Sequence, residues 1–170
     1  VSSVRKYIDS ISGFESVDII CRDKNYGLAK NIISGLTELF QSYDELIVLE
    51  DDIIVGKRFL EFMNLALEYY NSDDRIISIC GYTPAMVDIT SNSDVFFGIR
   101  SSSWGWATWK QSWEKIDWDI LNGDNDSYRS LKRLNRAGSD IKKMIRDFQK
   151  GRIDSWAIRF TYYQLVNNFV

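Results

Sequence analysis

Three acids stand side by side at Glu50-Asp51-Asp52, directly after the run Glu45-Leu-Ile-Val-Leu49. Adjacent carboxylates repel one another and resist desolvation, so such a triplet calls for a compensating positive charge. A hard divalent cation supplies it, because Mg²⁺ or Mn²⁺ takes one or two carboxylates and keeps positions open for diphosphate oxygens. The other reading is a solvated acidic loop, perfectly ordinary for a triplet on its own. Position gives this one weight: in open α/β sheets, ligands bind at the carboxyl ends of buried strands.

A further acid, Asp154, precedes Ser155-Trp156. The chain contains no His, which removes Ser-His-Asp triads and His-bearing zinc sites and leaves acid-base work to carboxylates, Lys, Tyr or Cys. Asp154 is one of the carboxylates this leaves open. Its rival role is to cap the helix starting at Trp156, a function Asp154 or Ser155 could fill for about 0.5–2 kcal/mol. Five of the six tryptophans, Trp104, Trp106, Trp109, Trp113 and Trp118, fall within fifteen positions. Spacing assigns Trp109, Trp113 and Trp118 to a core. Trp104 and Trp106 flank Gly105, where a backbone can approach a ligand, and are assigned to a substrate pocket in which indoles stack on sugar faces. Gly81-Tyr82, at a strand end, face the same pocket, unless Gly81 simply opens a turn. Cys21 and Cys80 each close an apolar run and read as small buried hydrophobes in preference to a disulfide or metal pair.

These residues need a scaffold. With 170 residues, 45% hydrophobic, and 21 basic against 24 acidic side chains, the chain has the composition of one globular domain over 1–170 and lacks a basic nucleic-acid footprint. Val4, Ile8 and Ile11 predict a helix and Val17–Cys21 a strand. Leu28, Ile32, Leu36, Leu39 and Phe40 predict a helix, and 45–49 a buried strand, the order that implies a right-handed crossover. Phe59 to Tyr70 predict another helix, and Arg75–Cys80 and Asp94–Ile99 further strands. Leu131 and Leu134, then Ile141 to Phe148, give two amphipathic stretches broken at Gly138-Ser139. A last helix starts at Trp156 and runs without a cap toward Val170. No apolar run approaches the roughly 18 residues of a membrane span. The opening at Val1 and the uncapped end read as a piece of a longer protein.

Taken together, these segments resemble a family. Ile47-Val48-Leu49-Glu50-Asp51-Asp52-Ile53 resembles the acidic signature of GT-A glycosyltransferases, closest to the branch holding the N-glycan and protein O-mannose N-acetylglucosaminyltransferases and bacterial family 2-like sugar transferases. Arg22-x-x-Asn25-x-Gly27-Leu28-Ala29-Lys30-Asn31 is similar to the Asn/Gly segment that precedes it. Ser103-Trp104-Gly105-Trp106-Ala107-Thr108-Trp109 is similar to that branch's aromatic, glycine-containing segment, and Asp154-Ser155-Trp156 to its acid-then-Trp step. The likeness spans roughly residues 17 to 165.

The resemblance implies a GT-A, Rossmann-like mixed sheet flanked by helices and lacking its first strand or strands. It implies that Asp52 coordinates Mn²⁺ or Mg²⁺, that Glu50 and Asp51 hold ribose or donor sugar, and that Arg22 and Asn31 approach the nucleotide. On the residues alone, Asn25-Tyr26-Gly27 reads equally as a turn and Arg22 as a surface charge. The resemblance further implies that Asp154 takes the acceptor's proton in an inverting transfer, with Asp119, Asp117 and Glu114 as substitutes because Ser155 separates Asp154 from the Trp. The implied partners are a nucleotide-sugar donor, a UDP-sugar first, and a saccharide acceptor. The implied location is cytoplasmic, at the inner face of a membrane, in cell-surface polysaccharide synthesis. Two other readings of the residues stand beside this one: a non-catalytic saccharide-binding relative, and a Mg²⁺-dependent phosphoryl-transfer enzyme.

Overall fold

Strands β1 (Glu45–Val48), β2 (Ile79–Cys80) and β3 (Trp106–Trp109) pair in the order β1-β3-β2, with β3 antiparallel to both neighbours. β1 and β2 therefore run the same way with β3 between them, and their carboxyl ends lie at one edge of the sheet. In this computed structural model the described residues are 2–83, 95–122 and 132–170. Around the sheet lie α1 (Ser2–Ile8), α2 (Leu28–Leu39), α3 (Phe59–Tyr70), α4 (Lys110–Trp113), α5 (Lys132–Ala137), α6 (Ile141–Gln149) and α7 (Trp156–Val166).

The period-two alternation of strand side chains divides the core into two faces. Register sets Val48 opposite Trp106 and Ile47 opposite Ala107, with Ala107 also opposite Ile79. Val48 and Trp106 pack with Ala29, Leu36 and Phe40 from α2 and its C-cap, and with Trp156 and Phe160 of α7. Ala107, Trp109 and Ile79 pack on the other side with Phe59, Met63, Ala66 and Leu67 of α3. A third cluster joins Leu134, Ile141 and Ile145 of α5 and α6 to Ile158, Tyr162 and Leu165 of α7. Helix α7 thus serves two clusters, which explains why apolar residues lie nearly all round it. Its polar positions Thr161 and Gln164 are buried too. They are satisfied by the segment entering β3: the Ser101 amide donates to Gln164 Oε1 (3.1 Å), and the Ser101 and Thr161 hydroxyls are 3.2 Å apart.

The helices over 28–39, 59–70 and 141–149, and the break at Gly138-Ser139, agree with the periodicity. Four expectations are corrected. Val17–Cys21 is not a strand: it pairs with no strand among the described residues, Val17, Ile19 and Ile20 are over 40% exposed, and Cys21 is an exposed free thiol rather than a buried hydrophobe. An apolar run without a ladder partner cannot satisfy its backbone as a strand. The 75–80 strand shrinks to Ile79–Cys80 because the backbone before it is engaged elsewhere. The Ile77 amide donates to the Val170 carbonyl (3.1 Å), the Val170 amide to the Arg75 carbonyl (2.8 Å), and Thr108 Oγ1 to the Ile77 carbonyl (2.7 Å). Residues 95–99 form no strand, and Asp94 and Leu131 lie outside the described residues. Finally, α7 does have an end, with Asn167 as C-cap, its amide donating to the Tyr163 carbonyl (3.2 Å), and Asn168 at φ +61°. No helix among the described residues is long and apolar enough to cross a membrane.

Candidate functional site

The order β1-β3-β2 collects three of the sequence-selected segments at one sheet edge. Glu50 follows the end of β1, Gly81-Tyr82 follow β2, and Trp104-Gly105 precede β3. The Gly81 amide donates to the Gly105 carbonyl (2.8 Å), tying two of them together, and the Tyr82 and Trp104 rings meet at 4.5 Å between centroids, tilted by 55°. Both rings are partly exposed, at 40% and 52%, as stacking surfaces for a ligand must be. With Gly81, Ser102 and Ser103 they line an open groove of about 990 Å³.

Gly81 and Gly105 are glycines for an internal reason. A Cβ on Gly81 would sit 2.5 Å from Phe59 Cε2 and 2.6 Å from Met63 Cε. On Gly105, at φ +71°, it would lie 2.9 Å from Phe59 Cε2 and 3.3 Å from Leu49 Cδ2. Both backbones lie against Phe59 at the start of α3, so α3 supports the floor of the site. Sequence reading missed Phe59 in this role, since its period marks it only as one more core residue.

The acidic triplet is graded in burial. Glu50 is half-buried while Asp51 and Asp52 are exposed, and a turn closes from the Ile53 amide to the Glu50 carbonyl (3.3 Å). Burial, then the charges of Asp52 and Asp51, push the Glu50 carboxyl above the usual carboxylate range. Among the described residues no group of three or more acids, Cys or His is arranged to hold a metal ion by itself. The donor set is nonetheless hard oxygen under mutual repulsion, which fits a cation that takes one or two carboxylates and completes its shell with ligand phosphates. Glu50, Asp51 and Asp52 are the residues available to hold it.

Asp154 is exposed and paired with Arg159 (3.1 Å). The cap is Ser155, whose Oγ accepts from the Ile158 amide at 3.3 Å, so capping does not occupy the Asp154 carboxylate. Trp156 stacks on Trp106 (5.0 Å, 23°), and Ala157 lines the groove, which brings the start of α7 toward the first residue of β3. Arg159 is the other residue that sequence reading missed, and its guanidinium also covers the Phe148 ring. The substitutes Glu114, Asp117 and Asp119 are all exposed, and Asp119 accepts from Asn122.

One assignment changes. Trp106 is 1% exposed, stacked between Trp113 and Trp156, and belongs to the core with Trp109 and Trp113 instead of a pocket wall. Its strand position turns the ring toward α7, and Gly105, buried beside it, does not line the groove either. Arg22 and Asn31 meet each other (3.4 Å), and Arg22 pairs with Glu38 (3.1 Å) and covers Tyr26. Asn25 Oδ1 accepts from the Gly27 amide (2.8 Å) with Gly27 at φ +72°, so this segment is a turn leading into α2, held by Arg22. Compared with known proteins, the chain matches no family model, no curated protein and no solved structure.

Proposed function

We propose that this chain is the metal-dependent catalytic part of an inverting glycosyltransferase that moves a sugar from a nucleotide-sugar donor to a saccharide acceptor. The observation that carries the reading is the convergence at one sheet edge of the acids after β1, Gly81-Tyr82 after β2 and Trp104 before β3. Carboxylates and exposed aromatic faces answer the two halves of a sugar nucleotide, its diphosphate through a cation and its sugar through stacking. Among the described residues the sheet is purely antiparallel rather than the mixed sheet the resemblance implies, and helices cover both of its faces in a general α/β arrangement. A bound Mn²⁺ or Mg²⁺ would offset diphosphate charge as the leaving group departs.

The roles of the chain's own groups follow. Exposed Asp52 would hold the cation, and Asp51 and half-buried Glu50 the ribose or donor sugar. Asp154 receives the acceptor hydroxyl's proton, with Arg159 orienting the carboxylate. Tyr82 and Trp104 hold a saccharide ring. A phosphoryl-transfer enzyme would leave that aromatic pair without work, and a binding module would leave Asp52 without any.

A thermal-shift panel of nucleoside diphosphates and their sugars, with Mn²⁺ and with chelator, tests the reading on the full-length protein. At 100-fold excess over Kd a ligand adds about 2.7 kcal/mol of stability. A Mn²⁺-dependent shift with a nucleotide sugar, lost in Asp52→Ala, is the expected result. No shift with any nucleotide, or an unchanged one in Asp52→Ala, overturns the metal-diphosphate site. Phosphomonoester hydrolysis would favour phosphoryl transfer.

A further inference from the structure

Charge is unevenly placed along this chain. Residues 132–152, which carry α5, α6 and the turn that follows, hold eight Lys and Arg against two Asp, a net +6. The rest of the chain holds 13 bases and 22 acids, a net −9. Both acids of the basic segment are already engaged. Asp140 is held in a fork by the two terminal nitrogens of Arg100 (2.8 and 2.9 Å), and Asp147 is shared between Lys143 (2.6 Å) and Arg152 (3.2 Å). Lys132, Arg136, Lys142, Arg146 and Lys150 have no ion pair among the described residues.

Helix α6 shows why these cations point outward. Ile141 and Ile145 are buried with Ile158 and Leu165 of α7, so Lys142, Arg146 and the C-cap Lys150, at i, i+4 and i+8, form one stripe on the opposite side. Like charges at that spacing repel one another, a cost that an external anionic surface reverses. The groove bordering the segment is apolar. Arg136, Ile141 and Met144 line it together with Val95, Phe96 and Phe97, three consecutive apolar side chains each over 40% exposed. Its polar groups Gln164 and Thr161 are spent on Ser101 and are not left free for a nucleic acid. Unpaired cations bordering exposed apolar side chains match a bilayer, whose headgroups are anionic and whose next layer is hydrocarbon. A planar bilayer touches this face alone, whereas a polyanion that wraps the chain would also meet its acidic remainder.

We propose that the α5–α6 face is a membrane-docking surface, on which Lys132, Arg136, Lys142, Arg146 and Lys150 meet the headgroups of an anionic bilayer while Phe96 and Phe97 enter its interfacial layer. The docking is independent of the transferase chemistry, and it stands or falls without it.

Co-sedimentation of the full-length protein with vesicles tests it, comparing about 30% phosphatidylglycerol in phosphatidylcholine with phosphatidylcholine alone. Partition onto the anionic vesicles is expected to be at least about tenfold stronger at low salt and to fall as salt rises. The triple variant Lys142→Gln, Arg146→Gln, Lys150→Gln should lose at least about tenfold of that partition, and the double variant Lys132→Gln, Arg136→Gln should lose part of it. Lys57→Gln, at an exposed lysine outside the segment, should leave it unchanged. Phe96→Ser with Phe97→Ser should weaken binding and keep its salt dependence. Circular dichroism melts establish that each variant is folded. Equal partition onto neutral and anionic vesicles, no partition onto either, or unchanged partition in either the folded charge variants or the phenylalanine variant overturns the proposal. So does tighter binding to heparin or duplex DNA than to the anionic vesicles, which would make the face a polyanion site. Nucleotide-sugar thermal shift reads the transferase site separately, so loss of the donor response alone refutes the transferase, and loss of vesicle binding alone refutes the docking surface.

Discussion

Two tryptophans in one stack offer a controlled comparison. Trp106 and Trp113 are 1% and 3% exposed, and their rings lie 6.2 Å apart. Trp113 Nε1 donates to Thr37 Oγ1 at 3.0 Å, whereas Trp106 Nε1 is buried without a hydrogen-bond partner. Substitution of either by Phe deletes the same atoms from the same cluster, so the lost packing is similar and largely cancels in the difference. What remains is the indole N–H. Trp113→Phe gives up a net hydrogen bond of about 1 kcal/mol, while Trp106→Phe recovers an unsatisfied donor's desolvation cost of about 2 kcal/mol. Trp113→Phe should therefore be the less stable variant by about 3 kcal/mol, or roughly 6–12 °C in Tm for a domain of this size. Urea unfolding followed by far-UV circular dichroism, with m-values compared to confirm an unchanged unfolding transition, measures the gap. Equal losses, or a greater loss for Trp106→Phe, would refute the reasoning by showing that the Trp106 N–H is satisfied, for instance by a buried water.

Other outcomes follow from the same geometry. Gly81→Ala must displace both Phe59 and Met63 and should cost about 1–3 kcal/mol in chemical denaturation, with weakened ligand binding at the groove mouth. Ser155→Ala should lower stability by about 0.5–2 kcal/mol through loss of the α7 cap, whereas Asp154→Asn should leave that cap intact and abolish transfer; full turnover by Asp154→Asn moves the base to another acid. Because the folded state raises the Glu50 pKa, ionisation there opposes folding. Glu50→Gln should be more stable than wild type at pH 7, with the advantage vanishing once pH falls below the ordinary carboxylate value of about 4.3, and Mn²⁺ should narrow the gap at neutral pH. Asp73 shows the opposite sign. Hydrogen bonds from Arg75 hold its carboxyl down to about 2, so the stability lost in Asp73→Asn should be present above pH 3.8 and disappear as pH falls through 2, checked by melts across that range.

Apolar period marked α2, α3 and α6, and the run at 45–48 marked a strand, because those patterns report burial of one face whatever the partner. The acidic triplet and the aromatic segment were equally legible, since residue type alone states what chemistry each can do. Which of them share a site was not. That depends on β3 inserting between β1, some sixty positions earlier, and β2, fewer than thirty earlier, pairings that no local signal encodes. The same insertion turned Trp106 inward onto Trp156 and left Trp104, two positions earlier, at the surface beside Tyr82. Val17–Cys21 has the composition of a strand but pairs with none here, because a strand is a property of two segments and composition describes only one. The sequence determined the chemical vocabulary and the helices; tertiary pairing decided which residues meet, because register and strand order are set by long-range packing.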